Sequence, residues 1–184
     1  MSEPKQPLHP SVISKLDAEY VDFHNETLQF ITPPHTLPWD PAIRNAPAVP
    51  GGSPLLEVEQ TKIFDLTHTN MITFVPKGVA PEAGWPVFIW FHGGTLSTGI
   101  PASFTHRQTG GWTFGTINSE TSFATNIAVR SNCVVLSVNY RLAPEDKYPK
   151  AVEDAVESLD WVIANGKKEL NIDTSKIAVG GSSR

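Results

Sequence analysis

From Val87 to Val179 the chain alternates short, almost wholly apolar runs with stretches of helical period, an order that few folds can accommodate. The runs are Val87-Phe88-Ile89-Trp90-Phe91, Val134-Val135-Leu136-Ser137-Val138 and Ile177-Ala178-Val179. Strands this apolar are covered on both faces. Between the first two, Ser119 to Arg130 reads as a helix that groups Phe123, Ile127 and Ala128. Lys150 to Asn165 puts Val152, Val156, Leu159 and Ile163 on one stripe, with Ala151, Ala155 and Val162 beside it. Gly166 stands where a C-terminal cap glycine belongs. Strand, helix, strand, helix, strand means crossover units in a parallel sheet, so the expected class is α/β.

Upstream, Thr61 to Leu66 and Met71 to Val75 flank the polar turn His68-Thr69-Asn70 and predict an antiparallel hairpin ended by Pro76-Lys77-Gly78. Thr32 to Pro54 holds seven prolines and Gly51-Gly52, a density that predicts an extended connector, with Trp39 available to anchor it. Pro10 to Phe30 carries a helical period through Val12, Leu16, Tyr20 and Phe23, with Ser11 as the expected N-cap. That helix either packs on the domain or contributes to a lid. The expected organisation is a helical segment at 1–31, a Pro-rich connector at 32–56 and an α/β domain at 57–184.

The 184 residues suit one domain, and a net charge of −5 spread along the chain argues against a basic nucleic-acid face. No run of eighteen apolar residues occurs, so no membrane-spanning helix is expected, and Met1 to Pro7 lacks the apolar core of a secretory signal. Cys133 is the only cysteine, which excludes an intrachain disulfide and points to a reducing, cytoplasmic setting. At the start of an apolar strand it reads as a small buried hydrophobe.

Two motifs follow the carboxyl ends of predicted strands, where open parallel sheets bind ligands. Gly180-Gly181-Ser182-Ser183-Arg184 matches the first positions of a Gly-x-Ser-x-Gly elbow. Ser183 is the better nucleophile, because Gly181 is then its −2 residue, whereas Ser182 would place Arg184 at +2. His92-Gly93-Gly94 supplies the complement: glycines let backbone N–H groups approach a tetrahedral oxyanion. His92 itself reads as a hydrogen-bonding shaper of that loop. Together the motifs imply acyl transfer. Elsewhere, Trp112, Phe114, His106 and Arg107 either line a pocket or form a loop packed on the body. His68 reads as a turn residue, and Asp154 and Glu157 as solvated or paired.

Tyr140-Arg141-Leu142-Ala143-Pro144-Glu145, Tyr148 to Ala155, and Ile172-Asp173 ahead of Ile177 to Gly181 carry a family likeness. From roughly Trp85 to Arg184 the chain resembles the hormone-sensitive-lipase-like branch of the α/β-hydrolases, the α/β-hydrolase fold-3 esterases. The resemblance implies Ser183 as nucleophile, backbone N–H groups of Gly93, Gly94 and Arg184 as oxyanion donors, and His92, Tyr140 and Glu145 as loop supports. It implies hydrolysis of a small-molecule carboxylic ester without metal or organic cofactor, and a cap-like place for residues 1–31. Three positions depart from the pattern: Thr95 replaces a third glycine, Ser182 an aspartate, and Arg184 a small residue.

The family's acid and histidine follow the nucleophile, whereas all six histidines here precede Ser183. The expectation is therefore an incomplete α/β-hydrolase sheet, truncated after the nucleophile elbow, with Ile177 to Gly180 as an apolar edge prone to aggregation. Such a chain is expected to be poorly soluble or partly molten and to turn esters over weakly or not at all. The alternatives are an arylformamidase-like amidase, a non-catalytic small-ligand-binding relative, such as the plant gibberellin receptors, and an incomplete gene product.

Overall fold

Five runs rich in β-branched and aromatic residues pair into one open, mixed sheet in this computed structural model, which describes residues 3–33, 36, 38, 40–45, 53–93 and 115–182. The chain divides into two units, Met1–Val49 with Leu96–Thr109 and Pro50–Thr95 with Gly110–Arg184. The sheet belongs to the second. β1 (Gln60–Asp65) and β2 (Asn70–Val75) form the expected antiparallel hairpin, closed by Leu66 N donating to Thr69 O at 2.8 Å. β2 also pairs antiparallel with β4 (Val134–Val138), and β4 pairs parallel with β3 (Trp85–Phe91). β3 then pairs parallel with β5 (Ile172–Gly181), giving the order β1-β2-β4-β3-β5. A hairpin leading into parallel strands is the α/β arrangement the sequence predicts.

Two helices cover the two faces. α3 (Thr121–Ser131) connects β3 to β4, and α4 (Lys150–Leu170) connects β4 to β5. Alternate residues of each strand go to opposite layers. Val87, Ile89, Val134, Leu136 and Val138 join Val162, Leu170 and Ile172 in one core. Trp90, Val135, Phe74 and Cys133 join Ala124 and Ala128 in the other. All five β4 residues are buried, as a doubly covered strand requires.

The helix faces differ from expectation. α4 turns Ala151, Asp154, Ser158, Val162, Gly166 and Leu170 inward, while Val156 and Ile163 are each 55% exposed and Val152 is exposed too. Small side chains let the helix lie close to the sheet, so Val152, Val156 and Ile163 are left outside while Leu159 packs at the margin of the core. Gly166 is part of that contact surface rather than a cap: a Cβ there would stand 3.3 Å from Ile172 Cδ1. Asn171, left-handed at φ 51°, ends the helix five residues later. In α3, likewise, Ala124 and Ala128 face the sheet, while Phe123 is 40% exposed with its ring against Trp90. β5 begins at Ile172, five residues ahead of the apolar run Ile177-Ala178-Val179, because Ile172 pairs with Trp85 ahead of an irregularity in the ladder. β5 lies at the sheet edge, where Val179 is 59% exposed.

In the first unit the periodic stretch forms two short helices, α1 (Pro10–Ile13) and α2 (Ala18–Glu26), instead of one. Asp17 interrupts it, since its carboxylate accepts from Glu19 N at 2.9 Å and caps α2. His9, not Ser11, caps α1, with Nδ1 accepting from Ser11 N at 3.2 Å. His24 is buried with Nε2 2.8 Å from Gln6 O, and Lys5 N and Gln6 N both donate to Gln29 O. Within the Pro-rich stretch, Asp40 accepts from Ala42 N at 2.8 Å and starts a 3-10 turn over Pro41–Asn45, so that stretch is not wholly irregular. Trp39, Thr95, His106, Arg107, Trp112 and Phe114 lie outside the described residues.

Gly78 and Gly84 both have φ above +100°, but only Gly84 is crowded, its missing Cβ facing Asn171 O and standing 2.9 Å from Asp173 N. Gly78→Ala is expected to cost about 1–2 kcal/mol of backbone strain alone. Gly84→Ala should cost at least about 1 kcal/mol more, from displacement of β5. Urea unfolding of the two variants measures the difference, and equal losses would contradict the packing described.

Candidate active site

β3 and β5 are parallel neighbours with Phe91 opposite Gly181, so the chain leaves both strands at one rim of the sheet. Ser182 N donates to Phe91 O at 3.2 Å and carries the ladder one residue further. His92-Gly93 and Ser182 therefore stand side by side. A Cβ on Gly93 would run into Ser182 Oγ, so a side chain there would turn the Ser182 hydroxyl away from its present position. At Gly180 a Cβ would lie 2.6 Å from Phe88 Cζ and 3.2 Å from Trp90 Cζ3. Gly94, Ser183 and Arg184, singled out from the sequence, lie outside the described residues.

Glu120, immediately ahead of α3, is the acceptor at this rim. Its Oε2 takes the Trp90 indole N–H at 2.6 Å, and its Oε1 takes the Ser182 hydroxyl at 2.6 Å and, more weakly, the Gly93 N–H at 3.4 Å. The start of a helix also favours a carboxylate electrostatically. Sequence reasoning missed Glu120. The available signal was Trp90, a buried residue whose indole N–H must find an acceptor.

Tyr140 and Arg141 fix the loop behind. The Tyr140 ring stacks on His92 with centroids 4.5 Å apart, and its hydroxyl donates to His92 O at 2.5 Å. Burial, with the Glu120 carboxylate adding to it, pushes the Tyr140 phenol up to about 12, so it remains a donor. Arg141 grips the fully buried Asp154 of α4 through its backbone N (2.8 Å), Nε (3.0 Å) and a guanidinium nitrogen (2.6 Å). Asp154 is thus paired rather than solvated, and Glu157 is paired as well, accepting from Thr67 N at 2.7 Å. Glu145 is exposed on the same loop, and His68 lies in the turn between β1 and β2. Among the described residues no cluster of three or more His, Cys, Asp or Glu could hold a metal, and no helix is long and apolar enough to cross a membrane.

A family profile described as alpha/beta hydrolase fold matches residues 104–184. An AB hydrolase superfamily protein of Schizosaccharomyces pombe is 43% identical over 96% of the chain and 50% of its own length. Carboxylesterase NlhH of Mycobacterium tuberculosis is 37% identical over 71% of the chain and 35% of its own length. The crystal structure of EstE1, a thermostable carboxylesterase cloned from a metagenomic library, superposes with a TM-score of 0.54. It is 32% identical and covers 72% of the chain and 39% of that structure. The chain spans half or less of the length of each of these proteins.

His92 is 1% exposed, with Nδ1 3.3 Å from Gly93 O and Nε2 unpaired among the described residues. Burial drives its pKa below the ordinary histidine value, against smaller opposing effects of Gly93 O and Glu120. An unfolded chain takes up this proton near pH 6.5, whereas the native one resists it. Stability from this site is therefore complete above about pH 6.5 and drains away as the pH falls. The unfolding free energy from urea titration should drop further between pH 7.5 and 5.5 in the wild type than in His92→Gln, by up to about 1 kcal/mol. Parallel profiles would show that His92 is not held neutral.

Proposed function

The chain belongs to the α/β-hydrolase fold-3 family, the hormone-sensitive-lipase-like branch, and we propose that it acts on small carboxylic esters through an acyl-enzyme on Ser183. One observation supports this above the rest: β3 and β5 end side by side, Phe91 opposite Gly181, which sets the predicted oxyanion loop against the predicted elbow. A nucleophile on the elbow would attack the ester carbonyl, and backbone N–H groups across the gap would meet the oxygen as it becomes negative. Gly94 and Arg184 are the proposed donors. Gly93 joins them only by giving up its long 3.4 Å bond to Glu120. His92, Tyr140 and Glu145 support the loop without reacting. Residues 1–31 are proposed as a cap-like segment, 32–56 as a connector and 57–184 as hydrolase domain.

No histidine is in place as a base beside the elbow among the described residues of this unit, since the His92 ring is stacked on Tyr140 with Nδ1 against Gly93 O, and His68 lies in the β1–β2 turn. Slow turnover is proposed for this reason. The test is incubation with a fluorophosphonate probe and peptide mapping by mass spectrometry, beside an assay with p-nitrophenyl acetate. The expected result is one phosphonyl adduct, on Ser183, that is lost in Ser183→Ala, with slow ester turnover lost in the same variant. An adduct on Ser182, or turnover untouched by Ser183→Ala, overturns the reading.

A further inference from the structure

Three donors from three places in the chain converge on Glu120. Trp90 lies within β3, Gly93 just beyond it and Ser182 just beyond β5, while Glu120 itself stands at the head of α3. A carboxylate suits this place because it only accepts, and can accept at both oxygens. A glutamine offers one acceptor oxygen and would turn an N–H₂ toward an N–H or O–H. An aspartate is one methylene too short to span the same donors. The donor at 182 matters equally. An aspartate there, the residue usual in the family this chain resembles, would bring a second carboxylate against Glu120, whereas the serine hydroxyl donates to it at 2.6 Å.

We propose that Glu120 is a positioning residue that clamps Ser182, and with it the adjacent Ser183, to the Gly93 loop, and that Ser182 is its matched partner. The inference rests on the reading of Ser183 as nucleophile. Among the described residues Glu120 holds Trp90, Gly93 and Ser182, none of which is the proposed nucleophile. The effect of Glu120 is to fix the spacing between Ser182 and Gly93, and a small misplacement of groups beside a reacting centre is costly to rate.

The test compares the wild type with Glu120→Gln, Ser182→Asp and the double variant by two independent measurements. One is the position of the Trp90 indole and Gly93 amide N–H resonances, which needs no chemistry at Ser183. The other is the rate of Ser183 phosphonylation. Glu120→Gln should move both resonances and slow labelling about tenfold or more, as expected when buried donors lose their acceptor. Ser182→Asp should slow labelling similarly by setting two carboxylates together. The double variant, in which a glutamine can donate to an aspartate, should return labelling to within about threefold of the wild type. A merely structural role predicts no such rescue. Unmoved resonances in Glu120→Gln, or single-variant losses that add in the double variant, overturn the clamp. If the wild type takes no adduct at Ser183, the hydrolase reading falls with that result, and the resonances alone then decide whether Glu120 ties the two loops.

Discussion

The parallel pairing of β3 with β5 is the contact on which the rest of the site depends. It sets Phe91 against Gly181, and the bond from Ser182 N to Phe91 O keeps the two chains together past the end of the regular ladder. The pairing has a steric condition. Phe88 and Trp90 crowd the face of β3 that lies beside Gly180, and a side chain on Gly93 would meet the Ser182 hydroxyl. Glycine at 180 and 93 meets that condition with neither the rings nor the hydroxyl displaced.

Behind this pairing the loop after β4 acts as a brace with two grips. Tyr140 holds the His92 peptide and ring from one side. Arg141 holds α4 through a buried carboxylate that satisfies a backbone N–H and the guanidinium together. A buried pair of this kind adds little stability compared with an apolar replacement, but losing one partner is damaging. Its contribution here is orientation: it fixes where the loop leaves the sheet and hence where the Tyr140 ring lies.

Much of the architecture was legible because strands covered on both faces have almost no freedom of composition. The three apolar runs are recognisable on that ground, the hairpin by its polar turn and both crossover helices by their period. The helix faces were not, since periodicity reports where large apolar residues lie and not how close the sheet comes. At α4 the inward row is Ala151, Asp154, Ser158, Val162 and Gly166, two of them polar and two very small, and the buried salt bridge explains the aspartate. The N-terminal stretch was misread as one helix because Asp17 fits the polar side of the period while also serving as a cap. At the rim, the glycines were readable and Glu120 was not. A lone acid before a helix looks like an ordinary end-of-helix charge until Trp90 and Ser182 are brought to it.

The buried phenol of Tyr140 has a consequence in alkali. An unfolded tyrosine ionises near pH 10, while this one keeps its proton to about 12. Between those values the denatured chain gives up a proton that the native chain retains, so the folded form loses ground as hydroxide rises. The grip on His92 nevertheless stays intact in every molecule that is still folded. Base thus lowers the stability of the whole fold before it ionises this one joint.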